Sequence, residues 1–150
     1  MAGCVCCLTR RAFVLGTLGT ALVAGAARAQ SPEPVAETLA RGRVDYSDLL
    51  GGPAEVLTLR ITLPPKTALT WHIHPGPVQG IVTAGELTVY HPDGCKNTYG
   101  PGMAVLIDGG ALHEDHNDGL VPLEVVSTFL LPEGAPVRVP VVPPVVPDCA

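Results

Sequence analysis

Two histidines separated by one residue are the first feature of this sequence with evident chemistry. His72 and His74 stand in a segment of apolar and threonine residues. Side chains at positions i and i+2 of a β-strand point to the same face of a sheet, so a strand here would place both imidazoles side by side. Imidazole nitrogens are common ligands of Fe, Ni, Cu and Zn. The pair therefore predicts half of a metal site, although a surface coincidence or a hydrogen-bonded core pair has the same spacing.

The sequence around this pair resembles the two motifs of the cupin superfamily. The first motif, G-x5-H-x-H-x3-4-E-x6-G, is matched by His72, His74 and Gly85. The two glycines, the histidine and the asparagine of the second motif, G-x5-P-x-G-x2-H-x3-N, are matched at every spacing by Gly102, Gly110, His113 and Asn117. The resemblance implies an all-β fold, the jelly-roll barrel or double-stranded β-helix. It also implies that His113 joins His72 and His74 as a metal ligand.

Three positions depart from these motifs. Lys66 stands in place of the first glycine, and Asp108 replaces the proline of the second motif. The glutamate of the first motif, often a fourth metal ligand, is missing, because the spacing to Gly85 places Val78 there and a shift by one residue gives Gln79. Neighbouring strand residues face opposite ways, so at most one of these two lines the cavity, and we favour Val78. The resemblance thus implies a site without a carboxylate, whose extra positive charge favours an anionic ligand.

The resemblance implies one divalent metal ion, Fe, Mn, Zn, Ni or Cu, with coordination positions open for water, substrate or O2. Our leading hypothesis is a metal-dependent oxygenase or related oxidoreductase that acts on a small polar molecule. The alternatives are a non-catalytic module that binds a metal or small molecule, and a structural barrel with a vestigial site, which can be a homodimer. No general base is evident. We expect His116, beside Glu114, to be a solvated loop residue, with a ligand or proton shuttle as the alternative.

Short strands must position these histidines. Glycine (17) and proline (16) are abundant, and they separate runs of alternating apolar and polar residues. This period of two is typical of half-buried strands, and several such runs at close spacing predict a sandwich or barrel. The predicted strands are residues 56–63, 69–74, 80–84, 86–90, 103–107 and 123–131.

The N-terminal segment has the pattern of an export signal. Arg10 and Arg11 precede an apolar, uncharged stretch over residues 12–27, and Ala29 ends a small-x-small cleavage site. The paired arginines resemble a twin-arginine signal; an ordinary secretory signal is the alternative, and the stretch is too short for a stable membrane anchor. We therefore predict a signal peptide over residues 1–29 and a periplasmic or secreted mature protein.

The mature chain divides into three predicted parts. Residues 30–43 form a polar arm, with one or two helical turns in its middle, residues 44–135 form the barrel, and residues 136–150 form an extended tail rich in proline and valine. Three cysteines leave with the signal, and Cys95 and Cys149 remain. An even pair in an exported protein predicts a disulfide, with two buried thiols or a metal-ligand pair as alternatives.

The negative charge of the mature chain argues against polyanionic partners. Beyond residue 29 the chain has 14 acidic and 6 basic residues, a net charge of −8. Such a balance leaves no basic surface for nucleic acid or for an anionic membrane. A small-molecule ligand is the partner that we expect.

Overall fold

The computed structural model describes residues 32–45, 51–147 and 149. These residues form β-strands and contain no helix, and so offer no helical segment with the length and apolarity needed to cross a membrane. The predicted signal, residues 1–29, lies outside the described residues. The strands are β1 (Val35–Asp45), β2 (Pro53–Leu63), β3 (Thr67–Ile73), β4 (Val78–Ala84), β5 (Leu87–Tyr90), β6 (Lys96–Tyr99), β7 (Ala104–Ile107), β8 (His113–Asn117), β9 (Leu123–Pro132) and β10 (Val139–Pro140).

The strands form two five-stranded antiparallel sheets. The first sheet has the order β1-β2-β9-β4-β7, and the second has the order β10-β3-β8-β5-β6. Each of the six runs predicted from the sequence overlaps a strand of these sheets. The two sheets face each other as a jelly roll, which confirms the all-β prediction.

The core lies between the sheets and follows from the alternation within each strand. In β9 every second residue from Leu123 to Leu131 is buried, and its neighbours are half-buried. One apolar cluster includes Leu63 and Val82, and a second is built around Phe129, which is 2% exposed. Burying aliphatic and aromatic side chains on these inner faces is the main force that holds the sheets together.

The prediction of helical turns in the polar arm over residues 30–43 is wrong. Residues 35–43 of this arm belong to β1, which pairs with β2 along its length. Arg41 forms an ion pair with Glu55 at 2.8 Å, and Arg43 forms one with Glu133 at 2.7 Å. Because β1 is an edge strand exposed on both faces, backbone hydrogen bonds define it, and no hydrophobic alternation marks it in the sequence.

The C-terminal tail lies against the second sheet. Val139 and Pro140 pair with the end of β3 at the sheet edge, the position where a strand tolerates proline. Cys149 forms the expected disulfide with Cys95, which follows β5. Val137 packs against the apolar cluster around Phe129. The tail is therefore fixed to the barrel at several points.

Two turns set the ends of the strands that hold the histidines. Lys66, which replaces the first motif glycine, has a φ of 59° and donates its backbone N–H to the carbonyl of Asn117 at 2.9 Å. A non-glycine residue in this left-handed region costs on the order of 1–3 kcal/mol, which explains why the motif has glycine there. Gly110 has a φ of 79° and donates its N–H to the carbonyl of His74 at 2.8 Å. This bond ties the turn before β8 to the end of β3.

Candidate metal centre

Two neighbouring strands place the three histidines together. His72 lies in β3 directly opposite His113 in β8, and His74 follows two residues after His72. All three side chains point between the sheets, where His72, His74 and His113 are 1%, 6% and 1% exposed. The structure thus brings together the three residues that the motifs single out, on one inner face of the second sheet.

The imidazoles share one tautomer. In each ring Nδ1 lies beside a backbone carbonyl: Thr70 for His72 at 2.8 Å, Val137 for His74 at 2.6 Å, and Ala111 for His113 at 2.9 Å. A carbonyl only accepts hydrogen bonds, so Nδ1 carries the proton and donates it. In a neutral ring Nε2 then presents a lone pair, and the carbonyls fix the ring orientation as outer-sphere partners of metal ligands commonly do.

The free ring nitrogens converge. One potential ligand nitrogen from each histidine lies within 4.8 Å of the others. Among the described residues the Nε2 atoms of His72 and His113 are buried without a hydrogen-bond partner. A buried polar atom without a partner is costly, and a metal ion would satisfy all three lone pairs at once. The donor set therefore fits a divalent transition metal.

Burial also keeps the rings of His72 and His74 neutral. It lowers the pKa of His72 and that of His74 from 6.5 to about 4, with the nearby histidines and Arg138 adding to the effect of burial. At neutral pH both rings therefore hold their lone pairs ready for a Lewis acid. A metal ion would not have to displace a proton from either of these two rings.

A carboxylate that the motifs do not predict lies beside these nitrogens. Asp115, two residues after His113, places Oδ2 at 3.9 Å from Nε2 of His72 and at 3.9 Å from Nε2 of His113. Its side chain is 19% exposed. Burial raises the pKa of the Asp115 carboxyl, and the neighbouring histidines oppose that rise. Sequence analysis missed this residue, although the His-x-Asp spacing on a strand was the signal that could have found it.

The histidines line a cavity of about 300 Å³ between the sheets. Val78, at the position of the missing glutamate, is 7% exposed and forms part of the cavity wall. Gln79 does not line this cavity: it is exposed on the outer face of the first sheet, because adjacent residues of β4 alternate between faces. Arg138, just before β10, lines the cavity as well.

His116 is not in a loop as expected, since it belongs to β8. Its ring lies beside the Glu114 carboxylate at 3.3 Å and the Asp118 carboxylate at 3.5 Å, and its centroid is 4.6 Å from that of Tyr90. These neighbours lie outside the cavity wall, so His116 is separate from the three-histidine cluster.

Two facing sheets around a cluster of inward-pointing histidines define a jelly-roll barrel with a candidate metal centre. Residues 59–129 match the Cupin_2 family, described as a cupin domain. No curated protein is similar enough to this chain to match it. The matched residues include all three histidines, and the match supports assignment to the cupin superfamily.

Solved structures agree with this fold. A cupin superfamily protein from Desulfitobacterium hafniense DCB-2 is 14% identical, with 70% of this chain and 84% of that chain covered at a TM-score of 0.53. A protein with a double-stranded β-helix domain from Klebsiella pneumoniae is 20% identical, and the alignment covers 73% of this chain and 80% of that chain at a TM-score of 0.55. A cupin domain from Bordetella pertussis is 16% identical, and the alignment covers 69% of this chain and 98% of that chain at a TM-score of 0.53. Similarity at these identities supports the fold alone.

Proposed function

We propose that this protein binds one divalent transition-metal ion through Nε2 of His72, His74 and His113, and that it acts on a small anionic molecule. The observation that carries the proposal is the common tautomer of the three rings, each of which donates Nδ1–H to a backbone carbonyl. All three Nε2 lone pairs are thereby left for one cation. Fe, Mn, Zn, Ni and Cu are all compatible with this donor set.

The reaction class that we favour is a metal-dependent oxidoreductase, of the oxygenase type if the ion is iron. A metal ion in such a centre polarises a bound substrate or activates O2. The chain's own part is to hold the ion, to exclude water with the apolar cavity wall, and to place a carboxylate, Asp115, where it can hold a proton close to the reacting groups. That carboxylate supplies the acid–base candidate that the sequence motifs lack.

Arg138 supports an anionic ligand. Its side chain is exposed at the cavity wall, and its charge acts to lower the pKa of the Asp115 carboxyl and the pKa values of His72 and His74. The rest of the wall is mainly aliphatic, so a carboxylate with a short apolar body fits the cavity better than a highly polar molecule does. Arg138→Gln is expected to weaken the binding of small carboxylates to metal-loaded protein about tenfold, and an unchanged affinity would exclude this role for Arg138.

A non-catalytic binding module is the second candidate. The cavity wall favours this candidate because it offers few groups for acid–base catalysis. Besides the three histidines, the described residues of the wall include one carboxylic acid, Asp115. Consumption of O2 with a panel of small organic acids distinguishes the candidates, because a binding module would bind an acid without turnover.

We further propose that the protein works in an oxidising exported compartment. The Cys95–Cys149 disulfide supports this location, because disulfides persist in the periplasm and outside the cell. A homodimer stays a prediction. Cell fractionation followed by mass determination of the mature N-terminus tests the export proposal, and a protein retained in the cytoplasm with its first 29 residues would contradict it.

Elemental analysis of protein isolated without chelators or affinity tags tests the proposed centre. About one equivalent of a single transition metal is expected. His72→Ala combined with His74→Ala should abolish binding while the barrel still folds, because the apolar clusters are untouched. His116→Ala is the matched control, since it removes a histidine from the outer side of β8. Stoichiometric metal in the double variant would refute the site.

A further inference from the structure

The Asp115 carboxylate is the one charged group that shares the inner face of β8 with His113. Asp115 pairs with Leu69 of β3 and lies two residues along β8 from His113, which pairs with His72. Its Oδ2 atom is equidistant, at 3.9 Å, from the Nε2 atoms of His72 and His113. Among the described residues no hydrogen bond to this carboxylate is found.

The groups that face one another here are all electron-pair donors. The two Nε2 atoms carry lone pairs, because Nδ1 of each ring donates to a backbone carbonyl. A carboxylate accepts hydrogen bonds and cannot donate one. The lone pairs of the two Nε2 atoms and of this half-buried carboxylate repel one another when no donor lies between them. A cation bound among the three groups would attract all of them.

The arrangement uses the same spacing twice. His72 in β3 and His74 directly after that strand are two donors at i and i+2, and β8 supplies two more at i and i+2, His113 and Asp115. The strands are neighbours, so the four side chains stand on one face of one sheet. The first-motif glutamate would have come from β4 in the opposite sheet, where Val78 now stands.

We propose that Asp115 is the fourth, carboxylate ligand of the metal centre, supplied by β8 in place of the missing glutamate on β4. The proposal rests on the metal site put forward above. Three neutral imidazoles and one carboxylate give the centre the net charge of a glutamate-containing site. The argument for an anionic ligand from a missing carboxylate therefore no longer applies, and the preference for an anion rests on Arg138 alone. As a metal ligand Asp115 would be deprotonated, so this assignment replaces its role as the acid–base group.

Cobalt(II) binding to the purified, metal-free protein tests this assignment, with affinity and the visible ligand-field spectrum as readouts. Asp115→Asn keeps the size of the side chain and removes its charge. It is expected to lower the Co(II) affinity about 100-fold or more, at or above the upper end of the loss seen for outer-sphere partners, and to alter the spectrum because a ligand is lost. Glu114→Gln is the matched control: this neighbouring carboxylate points to the other side of β8 and should change neither readout.

The outcomes separate this assignment from the metal site on which it rests. If Asp115→Asn binds Co(II) with unchanged affinity, Asp115 is not a ligand, whereas the three-histidine site stands as long as the His72→Ala, His74→Ala variant fails to bind. A weakened affinity with an unchanged spectrum also overturns the assignment, because Asp115 would then act through another group. Wild-type protein that binds no Co(II), Fe(II) or Zn(II) would overturn both proposals.

Discussion

Acidification should destabilise the metal-free protein through its two most perturbed histidines. In the folded chain burial holds the pKa of His72 and of His74 at about 4, against 6.5 for an ordinary histidine. Well above pH 6.5 the rings are neutral in both states and have no effect on stability. As the pH falls from 6.5 towards 4, the unfolded chain takes up protons that the folded chain excludes, so the free energy of unfolding falls with pH.

The size of this effect follows from the two pKa values. Between pH 7.0 and pH 5.5, proton uptake by the unfolded chain lowers the stability by about 1 kcal/mol for each histidine, and by about 2–3 kcal/mol for the pair. Asp115 acts in the opposite direction, because burial raises its pKa and acidification then favours the folded state. The Asp115→Asn background removes this opposing contribution and isolates the histidines.

Urea denaturation of chelator-treated protein at pH 7.0, 6.5, 6.0 and 5.5 measures the slope directly. The Asp115→Asn protein should lose about 2–3 kcal/mol across this range, and adding His72→Asn and His74→Asn to it should remove most of the slope. A stability that is independent of pH, or an equal slope in the histidine variants, would refute the argument that these rings are buried as neutral bases. Saturating metal should raise the stability at pH 7.0 by mass action.

Three further variants test a buried hydrogen-bonded amide, the disulfide and a core ring near the metal centre. Asn117→Ala removes a buried amide that donates to two backbone carbonyls and accepts one backbone N–H, so urea denaturation should report a loss of about 3 kcal/mol. Cys149→Ser opens the disulfide to Cys95, whose partners are 54 residues apart, and should lower the melting temperature through a loss of up to about 4 kcal/mol; an unchanged melting temperature would mean that the tail adds nothing. Phe129→Ala removes a ring whose centroid lies 5.2 Å from that of His74, and the cavity that it leaves should cost about 3–5 kcal/mol of stability. The variant should also bind Co(II) more weakly. A loss of stability with unchanged Co(II) affinity would show that the Phe129 ring does not support His74.

Much of the barrel could be predicted because its longer strands are half-buried. In β2 apolar residues from Leu57 to Leu63 alternate with Thr58, Arg60 and Thr62, so a period of two is visible in the sequence. In β9 the alternation is weaker, because Ser127 faces inward and Leu130 faces outward. The three histidines could be predicted for a different reason, since the two cupin motifs fix their spacing on β3 and β8. Motif spacing also placed Val78 correctly in the cavity wall, because strand alternation leaves Gln79 outside.

Strands β1 and β8 were not predicted, because their sequences lack the alternation of apolar and polar residues that marks a half-buried strand. β8 consists of polar residues alone, so hydrophobic periodicity cannot reveal it, and its inner face is the site itself. For that reason the sequence analysis did not single out Asp115, and it assigned His116 to a solvated loop. β1 escaped for the complementary reason: it is exposed along its length and is held by backbone pairing with β2 and by surface ion pairs.

The distribution of polar groups between the two sheets suggests how a ligand would lie. His72, His113 and Asp115 all belong to the second sheet, and Arg138 precedes its edge strand. The facing wall, from the first sheet, is aliphatic and aromatic apart from Ser127. A carboxylate at the position of Val78 would have placed charge on both walls. With the charge confined to one wall, a bound acid has one favourable orientation, its carboxylate towards the metal centre and Arg138 and its apolar body against the first sheet, because the reverse orientation would bury the charge against hydrocarbon.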